Sequence, residues 1–134
     1  MNQRSRILPI SLLALPLLWT LSSCSILGPE DPEEIRVTNR TEAVILVQVW
    51  ELQASHTVDP APAFVMDWAR DDILFPQEKL TLRSEEVNGP YEPGEDLAIF
   101  LFKVQGNTAF FRSVQHVTGK ELRDRNGRVR IQGF

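Results

Sequence analysis

The chain has 134 residues, 14 basic and 18 acidic side chains, a formal charge of −4 and one cysteine. The length suits a single domain, and the acidic balance argues against a general nucleic-acid binder, which needs a basic face to neutralise phosphates. One cysteine excludes an internal disulfide and a cysteine-rich zinc site.

Met1 to Arg6 carries Arg4 and Arg6 and no acid, and Ile7 to Leu21 follows without a charge. A basic start and a short apolar core form a secretory leader. The competing reading is a membrane-spanning helix, which needs about 20 apolar residues. This run has 15 and contains Pro9 and Pro16. It ends in Leu21-Ser22-Ser23-Cys24, which resembles the lipobox of bacterial lipoproteins: an aliphatic residue, two small residues, then Cys. The small serines suit a protease cleft, and the thiol is a soft nucleophile able to take a diacylglyceryl group as a thioether. The resemblance implies cleavage between Ser23 and Cys24 and acylation (palmitate or a similar chain) of the new amino terminus. Two or three chains, at ~0.8 kcal/mol per buried CH₂, hold a protein stably at a membrane. Ser25 follows the Cys, where an Asp is the retention signal of two-membrane bacteria, so the implied location is the outer membrane, facing the periplasm.

The predicted domains are therefore a leader over 1–23, an acylated Cys24 with an acidic tether over 24–34, and a β domain over 35–134. The product from Cys24 onward carries 12 basic and 18 acidic side chains. Ser25 to Glu34 (SILGPEDPEE) reaches at most ~35 Å, which keeps the domain close to lipid.

From Ile35 the apolar period is two, with Ile35 and Val37 alternating against Arg36 and Thr38. Asn39 to Glu42 is a polar turn. Ala43 to Leu52 is apolar on both faces at its start, as in a central strand. Leu80 and Leu82 mark a half-buried strand. Leu97 to Val104 is again apolar on both faces, and Gln105-Gly106-Asn107-Thr108 turns it into Ala109 to Val117 as a hairpin. Asn126-Gly127 signals a second hairpin, joining an arm around Leu122 to a last strand at Val129 and Ile131. About seven strands without a helical period predict an all-β, antiparallel two-sheet sandwich of transthyretin or immunoglobulin type, with a small barrel as the alternative.

Two connections stand out. Gln53 to Gln77 is 25 residues long and holds Phe64, Met66, Trp68 and Phe75 beside Asp67, Asp71 and Asp72. It reads as a crossover plugging one end of the sandwich, or as a partner-binding loop. Ser84 to Asp96 is acidic and places Tyr91 between two prolines. It reads as a solvated turn or a binding tip. The candidate partner-binding residues are Phe64, Met66, Asp67, Trp68 and Tyr91.

The residues assemble no recognisable chemistry. His56 and His116 lack metal-ligand spacing. His116 is expected to pack on the strand face of Phe110 and Val114, and His56 to be exposed. No GxSxG elbow or phosphate-binding glycine loop occurs. Asp71-Asp72 and Glu85-Glu86 are paired acids without a specified cleft, and Asp67 to Asp72 lacks the calcium-loop spacing. No catalytic residue, metal ligand, cofactor or small-molecule substrate is expected. The hydrolase alternative requires a pocket joining two of Asp67, Asp71, Asp72, Glu85 and Glu86. Lys120 to Phe134 holds five basic and two acidic residues, which reads as an edge protected against aggregation or as a face for anionic lipid or an acidic partner.

The order of features is similar to the outer-membrane lipoprotein family of type VI secretion systems. The carriers are the lipobox, Val49-Trp50-Glu51-Leu52, the loop with Phe64 and Asp67, Pro76-Gln77-Glu78 before an alternating strand, and Phe111-Arg112. That family's usual Pro-Gly-Glu is Pro-Gln-Glu here. The resemblance implies a transthyretin-like fold and a loop that binds the periplasmic part of an inner-membrane protein. Without it, the residues imply a non-catalytic, lipid-anchored binding or scaffold module of the envelope.

Overall fold

A computed structural model of the chain describes residues 30–133. The leader, the Ser23–Cys24 cleavage and lipidation site, and the tether up to residue 29 lie outside the described residues. From Asp31 to the carboxyl end the chain is one compact unit. Eight strands form it: β1 (Glu34–Asn39), β2 (Ile45–Glu51), β3 (Ala63–Val65), β4 (Ile73–Leu74), β5 (Lys79–Arg83), β6 (Leu97–Gln105), β7 (Thr108–Val117) and β8 (Arg128–Ile131). Two short α-helices, α1 (Leu52–Ser55) and α2 (Gly119–Asp124), and one 3-10 turn, Ser84–Glu86, accompany them.

The strands make an all-β sandwich of a three-stranded sheet, β5-β1-β8, and a five-stranded sheet, β3-β7-β6-β2-β4. Ile35 and Val37 of β1, Ile45, Val47 and Val49 of β2, and Leu97, Ile99 and Leu101 of β6 meet between the sheets. The other face of β6 carries Ala98, Phe100, Phe102 and Val104, buried in a second cluster with Leu46 and Met66. Both faces of β6 and of the start of β2 are apolar because both are covered. A buried Leu, Ile or Phe contributes about 1.5–3 kcal/mol, so these strands dominate the apolar stabilisation.

The alternating segments at Ile35–Val37 and Leu80–Leu82 became β1 and β5, the runs apolar on both faces became the central strands β2 and β6, as predicted, and Gly106-Asn107 closes the β6–β7 hairpin. Three details differ from the sequence expectation. The strands number eight, because the long connection contributes β3 and β4. The pairing is not wholly antiparallel, since β8 lies parallel to β1. Asn126-Gly127 does not join two strands. The segment around Leu122 is α2, whose first turn is closed by Thr118 and Glu121 in a reciprocal capping box. Asn126 and Gly127 both take positive φ, 53° and 76°, as a hairpin turn would, but here they stop a helix. Gly127 N–H donates to Leu122 O at 2.7 Å, the six-to-one bond of a helix terminus. The same residue passes so close to β1 that a Cβ would collide with the Glu34 carbonyl oxygen.

The turn after β1 is organised by one buried side chain. Asn39 Nδ2 donates to Ala43 O at 2.7 Å and to Leu74 O of β4 at 3.0 Å. Its Oδ1 accepts from Thr41 N at 2.9 Å and Thr41 Oγ1 at 2.7 Å. The Asn39-Arg40-Thr41 pattern is thus a turn lock.

Two outcomes follow for equilibrium unfolding in urea. Asn39→Ala removes four hydrogen bonds, two of them from groups (Ala43 O and Thr41 Oγ1) that keep a second partner in each other, and should lower stability by about 3 kcal/mol. Gly127→Ala should cost about 2 kcal/mol or more, from the collision and the left-handed backbone together. A loss under 1 kcal/mol in either variant contradicts the assigned role.

Candidate functional site

The connection from Gln53 to Gln77 does not plug one end of the sandwich. It crosses the outer face of the five-stranded sheet from edge to edge. Glu51 starts it by capping α1, its carboxylate accepting from Gln53 N at 2.9 Å and Ala54 N at 2.7 Å. The chain then runs to the far edge, where β3 pairs with β7, and returns to pair β4 with β2. It needs apolar residues because it covers Phe100 and Phe102, and that is where its aromatics go.

Met66 is buried, and Phe64 packs edge-on against Phe102 with centroids 5.4 Å apart. The Arg70 guanidinium sits 5.8 Å from the Phe64 ring centroid. Its Nε and Nη2 donate to both Asp72 carboxylate oxygens, at 2.9 and 2.7 Å. That bond, opposed in part by burial, holds Arg70 more firmly protonated than usual. Asp67 is exposed, and its Oδ1 accepts from Ala69 N, shaping the turn that presents the next residue. Trp68 is 47% exposed and stacks on Phe75, itself 46% exposed, at 6.1 Å and 27°. Trp68 Nε1 is fixed by Asn107 Oδ1 of the β6–β7 turn at 2.9 Å, and Val65 nearby in sequence is 82% exposed. Trp68 and Phe75 form an apolar shelf held by a rigid hairpin.

Of the five residues predicted to bind a partner, Phe64 and Met66 are structural supports, Asp67 shapes the turn, and Trp68 is presented to solvent. Tyr91 is corrected: it is buried between the sheets, away from the shelf. The segment Ser84 to Asp96 closes the sandwich with Val87 and Tyr91 because two apolar side chains find the open core there. Phe75 and Val65 completed the exposed set; Phe75 lay in the loop's aromatic count, while Val65 gave no signal until its strand was known.

His116 is also corrected. A bulge in β7 puts Leu101 opposite Ser113 but Phe102 opposite Phe111. One extra residue flips the faces beyond it. His116 and Val114 therefore share the outer face with Phe111, not with Phe110, and His116 is exposed. It lines a groove of ≈ 380 Å³ with His56, Asp59, Pro60, Phe111 and Val114. Sequence spacing keeps the two histidines apart, whereas the fold brings them to one groove. Among the described residues no cluster of three or more His, Cys, Asp or Glu is placed to hold a metal.

A smaller groove of ≈ 270 Å³ at the β2 edge is lined by Asp71, Asp72 and Glu86. Asp72 is engaged by Arg70, and Glu86 Oε2 accepts from Arg83 N at 2.8 Å. Asp71 is exposed.

Compared with known proteins, the chain matches no family model, no curated protein and no solved structure.

The Tyr91 hydroxyl is buried with no hydrogen-bond partner among the described residues. Burial first, then the charges of Glu95 and Asp31, raise its pKa above the ordinary 10.0. The folded state therefore keeps a proton that the unfolded chain releases above pH 10.0. Stability is full below that pH and declines as pH rises towards the folded value. Tyr91→Phe should be neutral or stabilising by up to about 1 kcal/mol at pH 7 and should flatten the alkaline decline. Thermal melts of both proteins from pH 7 to 11 check this; parallel declines would contradict it.

Proposed function

We propose that this chain is a lipid-anchored, non-catalytic binding module of the bacterial envelope, tied to the membrane through Cys24 and contacting a partner protein through the Trp68–Phe75 shelf. The shelf carries the reading. Two large aromatic side chains are presented to water on a braced turn, where aromatic anchors dominate binding energy in protein interfaces. The lipobox supports the anchoring, and Ser25 supports the outer membrane as the location. No helix among the described residues is long and apolar enough to cross a membrane.

A narrower reading makes the partner the inner-membrane protein of a type VI secretion complex. One observation favours it. Gln77 holds φ at 70°, the left-handed region that glycine fills readily. This is the middle of Pro76-Gln77-Glu78, where the resembled family places Gly. A positive φ at this position is what a glycine there would also suit. A gene standing apart from secretion-apparatus genes would count against this reading.

A hydrolase is the other alternative, favoured by the groove that joins Asp71, Asp72 and Glu86. It requires Asp71 to act with one of two carboxylates already engaged elsewhere. Loss of a measured glycosidase or esterase activity in Asp71→Asn would support it.

Two expectations test the main reading. Cys24→Ala should move the protein from the membrane to the soluble fraction; retention with an uncleaved leader sinks the anchoring. Trp68→Ala with Phe75→Ala should remove crosslinked envelope partners in cells while changing stability by only about 1 kcal/mol. An unchanged crosslinking pattern would eliminate the shelf as the contact.

A further inference from the structure

The two edges of the five-stranded sheet are finished differently. Along β2, the outer edge is bonded throughout. β4 pairs with Ile45 and Leu46, Val47 N donates to Asp72 O, and Asn88 bonds Val49 and Glu51. Along β7, β3 pairs only with Thr108 to Phe110, and Phe111 N donates to Pro62 O. From Arg112 to Val117 no backbone group has a partner on that side among the described residues. That stretch equals an average strand in length, and an unpaired edge is a template for another strand.

The surroundings specify what kind of strand. Side chains of an added strand alternate between the two faces of the sheet. On the outer face lies the ≈ 380 Å³ groove, where Pro60, Pro62, Phe111 and Val114 are apolar and Val114 is 38% exposed. On the inner side Gln115 shares a hollow of ≈ 530 Å³ with Arg125, Arg128, Arg130 and Gln132. One face thus favours apolar side chains and the other favours carboxylates.

We propose that the open edge of β7 receives an extended segment of a partner protein in which apolar and acidic residues alternate, adding a sixth strand to the sheet. The apolar side chains enter the groove beside Phe111 and Val114. The carboxylates face Arg128 and Arg130, while main-chain hydrogen bonds to Arg112–Val117 supply the register. A second copy of this chain is the competing occupant. Pairing β7 with β7 across a dyad would set the three arginines of one copy near those of the other, a like-charge contact that disfavours it. The proposal depends on neither Cys24 nor the Trp68–Phe75 shelf.

The test uses the full-length chain in neutral detergent and a capped peptide of about eight residues alternating valine and glutamate. Controls are a valine–lysine peptide and a peptide of the same valine and glutamate content in two blocks. Amide exchange should slow along Arg112–Val117 with the alternating acidic peptide and with neither control. Arg128→Glu with Arg130→Glu should weaken that peptide by about tenfold or more and admit the lysine peptide. No protection at about 1 mM peptide, or equal protection by the block peptide, overturns the proposal. So does sedimentation as a dimer with the edge already protected.

Discussion

Asn39 stands where the two sheets have to be joined, and it is closed off from water. Its amide reaches from the end of β1 in the small sheet to the Leu74 carbonyl of β4 in the large one. Its oxygen closes the turn that carries the chain across. The backbone of the same residue accepts from Gln77 N and donates to Glu78 O ahead of β5. Arg40, next in the chain, donates its N–H to Ile131 O at the end of β8. One short polar residue and its neighbour therefore fix the relative placement of four strands. A buried amide costs free energy unless every bond is made, and here the requirement acts as a specification. The docking of the two sheets satisfies it in full. The inter-sheet core and the position of the long connection both depend on that docking.

The outer layer follows from the same frame. Because β6 is central and apolar on both faces, its outer face must be covered. Among the described residues the connection between β2 and β5 is the one long enough to do so. In covering Phe100 and Phe102 it spends Phe64 and Met66 as packing and leaves Trp68 and Phe75 outside, braced by Asn107. The cover ends before the upper half of β7, so groove and open edge lie side by side. Charge is distributed with similar economy. Asp71, Asp72 and Glu86 line the hollow at the β2 edge, while Arg125, Arg128 and Arg130 line the hollow beside β7. A chain that is acidic overall thus presents a locally basic margin.

Period and composition made the sandwich legible, since alternation at Ile35–Val37, Leu80–Leu82 and Val129–Ile131 reports one buried face each. The doubly apolar runs at β2 and β6 announced central strands, though not what covered their second face. Three things were hidden for physical reasons. The Asn126-Gly127 signal encodes positive φ and does not say whether a strand or a helix precedes it; the capping pattern at Thr118 and Glu121 carried that information. The β7 bulge inserts one residue into a strand, which no periodicity reveals, and it reassigned His116. The aromatic content of the long connection spoke of burial and of exposure in the same residues. Only the position of each side chain over the sheet separates Met66 from Trp68, and only the core's open end accounts for Tyr91.

The place of β1 has a mechanical consequence. It is the first strand of the unit and also the middle strand of its sheet, hydrogen-bonded to β5 on one side and to β8 on the other. A pull on the chain ahead of Asp31, with the domain held along the strand axis, strains both ladders in shear. All their rungs then share the load at once, instead of opening singly as they would at an edge strand peeled from its end. The Asp31–Arg123 contact at 3.0 Å and the tight passage of Gly127 against Glu34 lie in the path of that force. A pull from the amino-terminal side is thus met by both ladders of β1 together.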